Sequence, residues 1–255
     1  LPLSQHTRVT QPDAPPLPRR LLAEFLGTAL LVAVVVGSGI AAAQLSPQDI
    51  GLQLLENSTA TVLGLTVLIL MFGPVSGAHF NPVVSLADWF IGRRGGTGLS
   101  LPEVAAYAAA QIAGAVMGAL LANSMFGVSM ALSTKERATG PHLLGEVVAT
   151  SVLIVLIFAL ARSGQAAIAA PAVGAYIGAA YWFTSSTSFA NPAVTIGRIF
   201  SDTFAGIAPS SAPGFVIAQL VGLVVGVAIT LALYPDAATS ADDVVVPHPS
   251  TSNSA

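Results

Sequence analysis

Six apolar runs, at about residues 20–43, 52–73, 102–126, 142–162, 166–186 and 213–234, set the first limit on what this chain can become. Each is long enough to cross a hydrocarbon core of about 30 Å at about 1.5 Å per helical residue. Inside lipid every backbone N–H and C=O needs a partner within the protein, so only helices and closed barrels can span. Barrel strands would alternate in polarity, whereas these runs are apolar throughout and rich in Gly and Ala. The expected fold class is an all-α membrane protein with the lipid bilayer as its surroundings. Composition agrees: 54% of the 255 residues are hydrophobic and 8% are charged, too few to clothe a soluble globule in polar surface.

The remaining chemistry is sparse. There is no cysteine, so disulfides, thiol catalysis and thiolate metal sites are excluded. The four histidines, His6, His79, His142 and His248, show no metal-ligand spacing, and no cofactor, metal or nucleic-acid partner is expected. The stretches 1–18 and 235–255 are rich in Pro, Ser, Thr and Asp without apolar period and read as disordered tails. The first apolar run is too long for a signal peptide and follows a Pro-rich stretch, so cleavage is not expected. Basic residues set the orientation. With both termini in the cytoplasm, Arg8, Arg19, Arg20, Arg93, Arg94 and Arg162 lie inside, and Lys135, Arg137 and Arg198 lie outside or in a re-entrant segment.

The two halves are copies of one another. "SGAHFNPVVSLADWFIG" at 76–92 returns as "SFANPAVTIGRIFSD" at 188–202, with the triplets Asn81-Pro82-Val83 and Asn191-Pro192-Ala193 in register. "AEFLGTALLV" with Glu24 matches "GEVVATSVLI" with Glu146, and "AAQIAGAVMGAL" with Gln111, Gly114 and Gly118 matches "IAQLVGLVVGVA" with Gln219, Gly222 and Gly226. Each copy holds three spans, an odd number, so the second must enter the membrane from the opposite side: an inverted repeat. The copies run over 19–126 and 142–234, joined by a loop at 127–141. The Gly-x-x-x-Gly pattern in each third helix lets backbones approach closely.

Both triplets fall outside the six spans. The segment from Asn81 to Ile91 makes a helix of about 16 Å, about half a bilayer, within a half-helix spanning 81–92, and its partner runs over about 191–201. Asn is favoured at a helix N-cap and Pro at the first helical position, so each triplet reads as a helix start. Two half-helices then meet N-terminus to N-terminus. Each Asn uses its side-chain oxygen on its own helix and keeps its NH₂ as a donor toward a passing solute. Converging positive dipole ends with amide donors favour a neutral oxygen-bearing solute and oppose cations and protons.

These features resemble the aquaporin, or major intrinsic protein, family: six helices, two re-entrant Asn-Pro-Ala loops, and a Glu in the first and fourth helices. The resemblance covers about Arg20 to Tyr234. It implies a homotetramer with one pore per subunit, central-constriction residues Asn81, Pro82, Val83, Asn191, Pro192 and Ala193, and loop-scaffold roles for Glu24, Glu146 and His79. The departures carry information. Val83 stands for Ala in the first triplet, and Val194 stands where the family usually has its selectivity-filter arginine. The other filter positions align to Leu63, to Gly178 or Ala179, and to Ser188, none of them the bulky aromatic or His that narrows a strict water channel. The resemblance therefore implies a wide, arginine-free filter. Arg198, four residues after Val194, is either a displaced arginine at the vestibule or an ion-pair partner of Asp202. Within the family, "FGPVSGAHFNP" and "FANPAVT" with Val194 resemble bacterial channels associated with arsenic resistance, which implies a bacterial inner-membrane location and passage of water, glycerol, urea, neutral arsenite or methylated arsenicals.

Other function classes fit less well. An enzyme needs a nucleophile with a base in reach, and the spans offer neither an Asp pair nor a His beside a Ser. A secondary transporter shares the inverted-repeat architecture but normally buries a coupling-ion site, for which only Glu24 and Glu146 are available. A purely structural membrane protein is the third class.

Overall fold

A computed structural model describes residues 15–93 and 95–235. Most of the two tails, and with them Arg8, His6 and His248, lie outside the described residues, as does Arg94. Eight α-helices follow in order: α1 (Leu17–Leu45), α2 (Ile50–Ser76), α3 (Pro82–Gly92), α4 (Leu101–Met125), α5 (Gly140–Arg162), α6 (Ala169–Phe183), α7 (Pro192–Gly197) and α8 (Ala212–Leu233). Short 3-10 turns, Ala166–Ile168 and Arg198–Phe200, precede α6 and extend α7. The six long helices coincide with the six apolar runs, and α3 and α7 are the two short ones.

Local chemistry explains the ends. Asp49 caps α2 through a bond from Leu52 N of 2.9 Å, and Thr139 caps α5 by accepting from His142 N. Ser100 and Glu103 form a reciprocal capping box on α4. Asn81 and Asn191 cap α3 and α7, each followed by Pro at the first helical position. The α-helical part of the second half-helix is shorter than the expected 191–201. It tightens into a 3-10 turn at Arg198 and ends where Asn123 of α4 donates to Phe200 O at 2.8 Å and accepts from Ser201 Oγ at 2.7 Å.

The packing is paired by the repeat. Helix α1 lies along α4, and α5 lies along α8. A Cβ added to Gly114 or Gly118 would sit 2.3 Å and 2.1 Å from the carbonyl oxygens of Phe25 and Ala29, and one on Gly222 or Gly226 would sit within 2.8 Å of Val147 O and Ser151 O. Only hydrogen fits at these crossings. Gly27 has a separate purpose: the Phe80 ring occupies the place where its side chain would be. In the second copy the matching positions are Ala149 and Ala190, so bulk removed from the loop allows bulk on the helix. Facing outward, α2 shows Leu63, Val67 and Leu70, and α8 shows Ile217, Val221 and Val224, all exposed. The fully buried polar side chains Glu24, Gln111, Glu146 and Gln219 lie inside. A greasy exterior around a polar interior is the arrangement that a bilayer requires.

The α1–α4 crossing yields a direct test. Gly118→Ala drives a methyl into the Ala29 carbonyl and should destabilise the protein by about 1–3 kcal/mol, the usual cost of overpacking. Gly140→Ala, at a position with no atom within 4 Å of the added carbon, serves as the neutral comparison. Thermal unfolding in detergent should show a lowered midpoint for the first and none for the second.

Candidate functional site

Between α2, α6 and the half-helices α3 and α7 there is a narrow internal cavity of about 70 Å³, room for several waters. Its wall repeats the inverted symmetry. Leu31 and Val35 of α1 correspond to Leu153 and Ile157 of α5. Thr61, Leu65 and Ile69 form a stripe at four-residue spacing on α2, and Val173, Ile177 and Tyr181 form the matching stripe on α6. Because the copies are antiparallel, Thr61 meets Tyr181, with the two hydroxyl oxygens 3.2 Å apart.

The loops before the triplets complete the wall. Ala78 and Phe80 in one, and Thr187, Ser188 and Ala190 in the other, have φ between 47° and 63°, a left-handed conformation costly for side-chain-bearing residues. Two buried carboxylates hold them there. Glu24 accepts from His79 N at 3.0 Å, Phe80 N at 2.7 Å, Ser76 Oγ at 2.6 Å and Gln111 Nε2 at 2.7 Å. Glu146 accepts from Phe189 N and Ala190 N, both at 2.8 Å, and from Gln219 Nε2 at 2.6 Å. Each glutamine also donates to a hydroxyl of the adjoining half-helix, Ser85 or Thr195. His79 lines the cavity with its Nδ1 3.0 Å from Ser85 Oγ.

The two asparagines brace each other's loops. Asn81 Nδ2 donates to Ala190 O and Asn191 Nδ2 donates to Phe80 O, both at 2.8 Å, while each side-chain oxygen accepts from its own helix. One amide proton of each is thus committed to the opposite loop, and the second remains for the cavity that both residues line. Of the triplet residues only the two asparagines line it. Pro82, Val83, Pro192 and Ala193 are buried in the half-helix packing, and the lining residues that follow are Val84 and Val194.

The expected filter positions divide. Ser188 and Val194 line the cavity. Leu63 does not: it lies two residues, roughly 200°, from the lining face of α2 and is 63% exposed on the apolar exterior. Gly178 and Ala179 also lie off the lining stripe. Gly178 lets α6 close on α2, where an added carbon would meet Val62 at 2.3 Å, and Ala179 is exposed. The aromatic Tyr181 takes the place that was expected to be small. Nor is the lining free of arginine, because Arg198 is 3% exposed and faces the cavity. Its Nε donates to Ala205 O and its guanidinium lies 3.5 Å from the centroid of the Phe189 ring. The ion pair with Asp202 does not form; Asp202 instead accepts from Thr134 N and Oγ1. Arg198 is where the four-residue spacing from Val194 puts it, and the same spacing from Ile177 would have reached Tyr181.

Two more cations sit beside Arg198 on the loop that joins the halves. Lys135 Nζ donates to Phe204 O at 2.9 Å, and Arg137 donates to Gly206 O at 2.7 Å and Phe204 O at 3.1 Å. Burial, then the neighbouring Arg137 and Arg198, pull the Lys135 ammonium down to about 8, and burial lowers Arg137 to about 10. Among the described residues no group of three His, Cys, Asp or Glu side chains is placed to hold a metal ion.

Comparison with known proteins gives one family. The profile described as Major intrinsic protein matches residues 13–188. The chain is 49% identical over 214 residues to the aquaglyceroporin AqpS of Rhizobium meliloti, covering 84% of this chain and 89% of that protein. It is 32% identical over 236 residues to a glycerol uptake facilitator protein of Pseudomonas aeruginosa, covering 80% and 81%. Among solved structures, the aquaglyceroporin from Plasmodium falciparum superposes with a TM-score of 0.61 at 18% identity, over 87% of this chain and 96% of the other, a likeness of fold.

The carboxylate cradles predict their own sensitivity. In Glu24→Gln or Glu146→Gln, an amide with one acceptor oxygen replaces two acceptors and presents a donor to another donor. Each change should cost about 1–3 kcal/mol, read as a lowered unfolding midpoint in detergent and a smaller folded fraction. Altered proton coupling of flux in a well-folded variant would instead mark the glutamates as a relay.

Proposed function

The chain belongs to the major intrinsic protein family, and from that premise we propose that it is a passive transmembrane channel for water and small neutral solutes. Glycerol and urea fall in its range, as do neutral arsenite and methylated arsenicals. The observation that carries the proposal is the cavity passing the two cross-braced asparagines, where half-helices from opposite copies meet. A solute there loses its hydration shell on the apolar stripes of α2 and α6 but regains hydrogen bonds from the asparagine amides. Protons and cations meet the positive ends of the half-helices and the Arg198 guanidinium.

The same reading places both termini in the cytoplasm of a bacterium, with the Arg198 end of the cavity facing outward, supported by the distribution of basic residues. It also takes the working unit as a homotetramer, supported by the wide apolar outer faces of the long helices. The inverted repeats form the two structural units, 19–126 and 142–234, joined through 127–141. Carrier function has less support, since the buried carboxylates of Glu24 and Glu146 are fully engaged in holding backbone.

Reconstitution into proteoliposomes tests the proposal. Stopped-flow light scattering with water, glycerol, urea and arsenite should show flux linear in solute gradient, weakly dependent on temperature and independent of ion gradients. Saturating, ion-driven flux would indicate a carrier, and flux no greater than through empty liposomes would remove the transport reading. Mercurials should not inhibit through thiol attack, since the chain has no cysteine. Val194→Arg should add bulk and a second guanidinium one turn from Arg198. We expect glycerol flux to fall relative to water on the order of tenfold, about 1.4 kcal/mol of added barrier.

A further inference from the structure

The outer wall carries a hollow beside the first half-helix. An open groove of about 280 Å³ runs between α3 and the start of α4, lined by Pro82 and Leu86 on one side and by Leu101, Val104, Ala105 and Ala108 on the other. Every lining residue is apolar, and Leu101 and Ala105 are exposed. Two alanines make the hollow. The repeat that pairs Gln111 with Gln219 pairs Ala105 and Ala108 with Pro213 and Val216, so larger side chains stand at the matching places in the second copy. Helix α3 starts in the middle layer of the molecule at Pro82 and ends at the membrane surface, about 16 Å away. The groove beside it therefore has the depth of one leaflet's hydrocarbon.

The surface end of α3 is aromatic and cationic. Arg93, the C-cap residue, is exposed and lies 4.1 Å from the centroid of the Phe90 ring and 5.2 Å from that of Trp89. Stacking leaves its N–H donors uncommitted: among the described residues Arg93 has no hydrogen-bond acceptor and no salt bridge. Leu86 and Trp89 pack on the cluster of Leu99, Val104 and Tyr107, and so do Leu17 and Leu21, which brings the start of α1 with Arg19 and Arg20 to the same end. The acids there are engaged. Glu103 pairs with Arg20 and caps α4, and the buried Asp88 accepts from Leu99 N at 2.7 Å. Arg19 and Arg93 are left as exposed cations. In the second copy Ile199 and Thr203 stand where the first has Trp89 and Arg93.

We infer that an anionic glycerophospholipid binds here, with its phosphate on Arg93 and one acyl chain laid along the α3–α4 groove. A phosphodiester accepts the parallel N–H donors of a guanidinium, and Trp89 supplies the amphipathic ring that settles at headgroup level. The chain attached to that phosphate enters the groove at Leu101 and runs toward Pro82. Lipid in that place packs against the outside of the half-helix whose other side presents Asn81 and Val84 to the cavity, and so stabilises α3 from the bilayer. The inference needs only that the protein sits in a membrane, and it is independent of which solute the cavity passes.

Thermal unfolding of the whole chain in a neutral maltoside detergent tests it, with titrations of phosphatidylglycerol, of phosphatidylcholine bearing the same chains, and of inorganic phosphate. Phosphatidylglycerol should raise the midpoint saturably, phosphatidylcholine should bind several-fold more weakly, and inorganic phosphate should leave the midpoint unchanged. Arg93→Gln should weaken phosphatidylglycerol about fivefold, the factor for about 1 kcal/mol of attraction per basic side chain at an anionic surface, and bring the two lipids level. Ala105→Leu fills the groove from an exposed position and should weaken both lipids. Both substitutions lie outside the core, so the folded protein is available for each titration. Equal binding of the two lipids by the parent, or an unchanged phosphatidylglycerol affinity in either variant, overturns the inference. A shift reproduced by inorganic phosphate alone overturns it as well, since the site would then take a free anion.

Discussion

Irregular backbone at membrane depth has no water to satisfy it, and two buried carboxylates solve that problem here. Glu24 and Glu146 each accept two consecutive loop N–H groups, and those bonds hold residues such as Phe80 and Ala190 in the left-handed region. Everything else in the middle of the molecule depends on that. With the loops fixed, Asn81 and Asn191 arrive at the starts of α3 and α7, and each can reach the other loop's carbonyl. The glutamines complete each cradle from α4 and α8, and the glycines at the crossings bring those helices close enough for them to do so.

The same pattern runs through the rest of the polar interior. Nearly every buried polar side chain is engaged in holding backbone, as with Tyr107 donating to Ser76 O and Asn57 donating to Val35 O. Of the groups left over, one amide proton on each asparagine and Ser188 Oγ face the cavity, while Gln111 Oε1, Thr150 Oγ1 and Gln219 Oε1 are buried without a partner away from its wall. The larger part of this hydrogen-bonding scheme is structural.

Much of this was legible in the residue order. Six apolar runs, an odd number of spans per copy and paired Asn-Pro starts imply the helices and the inverted repeat, and the Glu, Gln and Gly matches identify the elements that hold the loops. The lining was legible only in part. Helices α2 and α6 are apolar nearly all round, so no change of polarity marks the face that turns inward, and a shift of two residues moves the reading from Thr61 to the outward-facing, exposed Leu63. Tyr181 is hidden for the same reason, since nothing in the residues around it marks which way the helix turns it. The outcome at Arg198 turned on the loop carbonyl of Ala205 and the Phe189 ring, long-range partners that a four-residue spacing to Asp202 does not reveal.

The cross-bracing of the asparagines also bears on how the molecule is made. Asn81 and Phe80 find their partners only in residues 190 and 191, more than a hundred positions later in the chain. While the ribosome is still completing the second copy, the first re-entrant loop has its carboxylate but neither an acceptor for its amide nor a donor for its carbonyl. The cross-bracing of the central layer can therefore form only after translation has passed the second triplet. A chain arrested before that point holds the Asn81 amide and the Phe80 carbonyl without these partners.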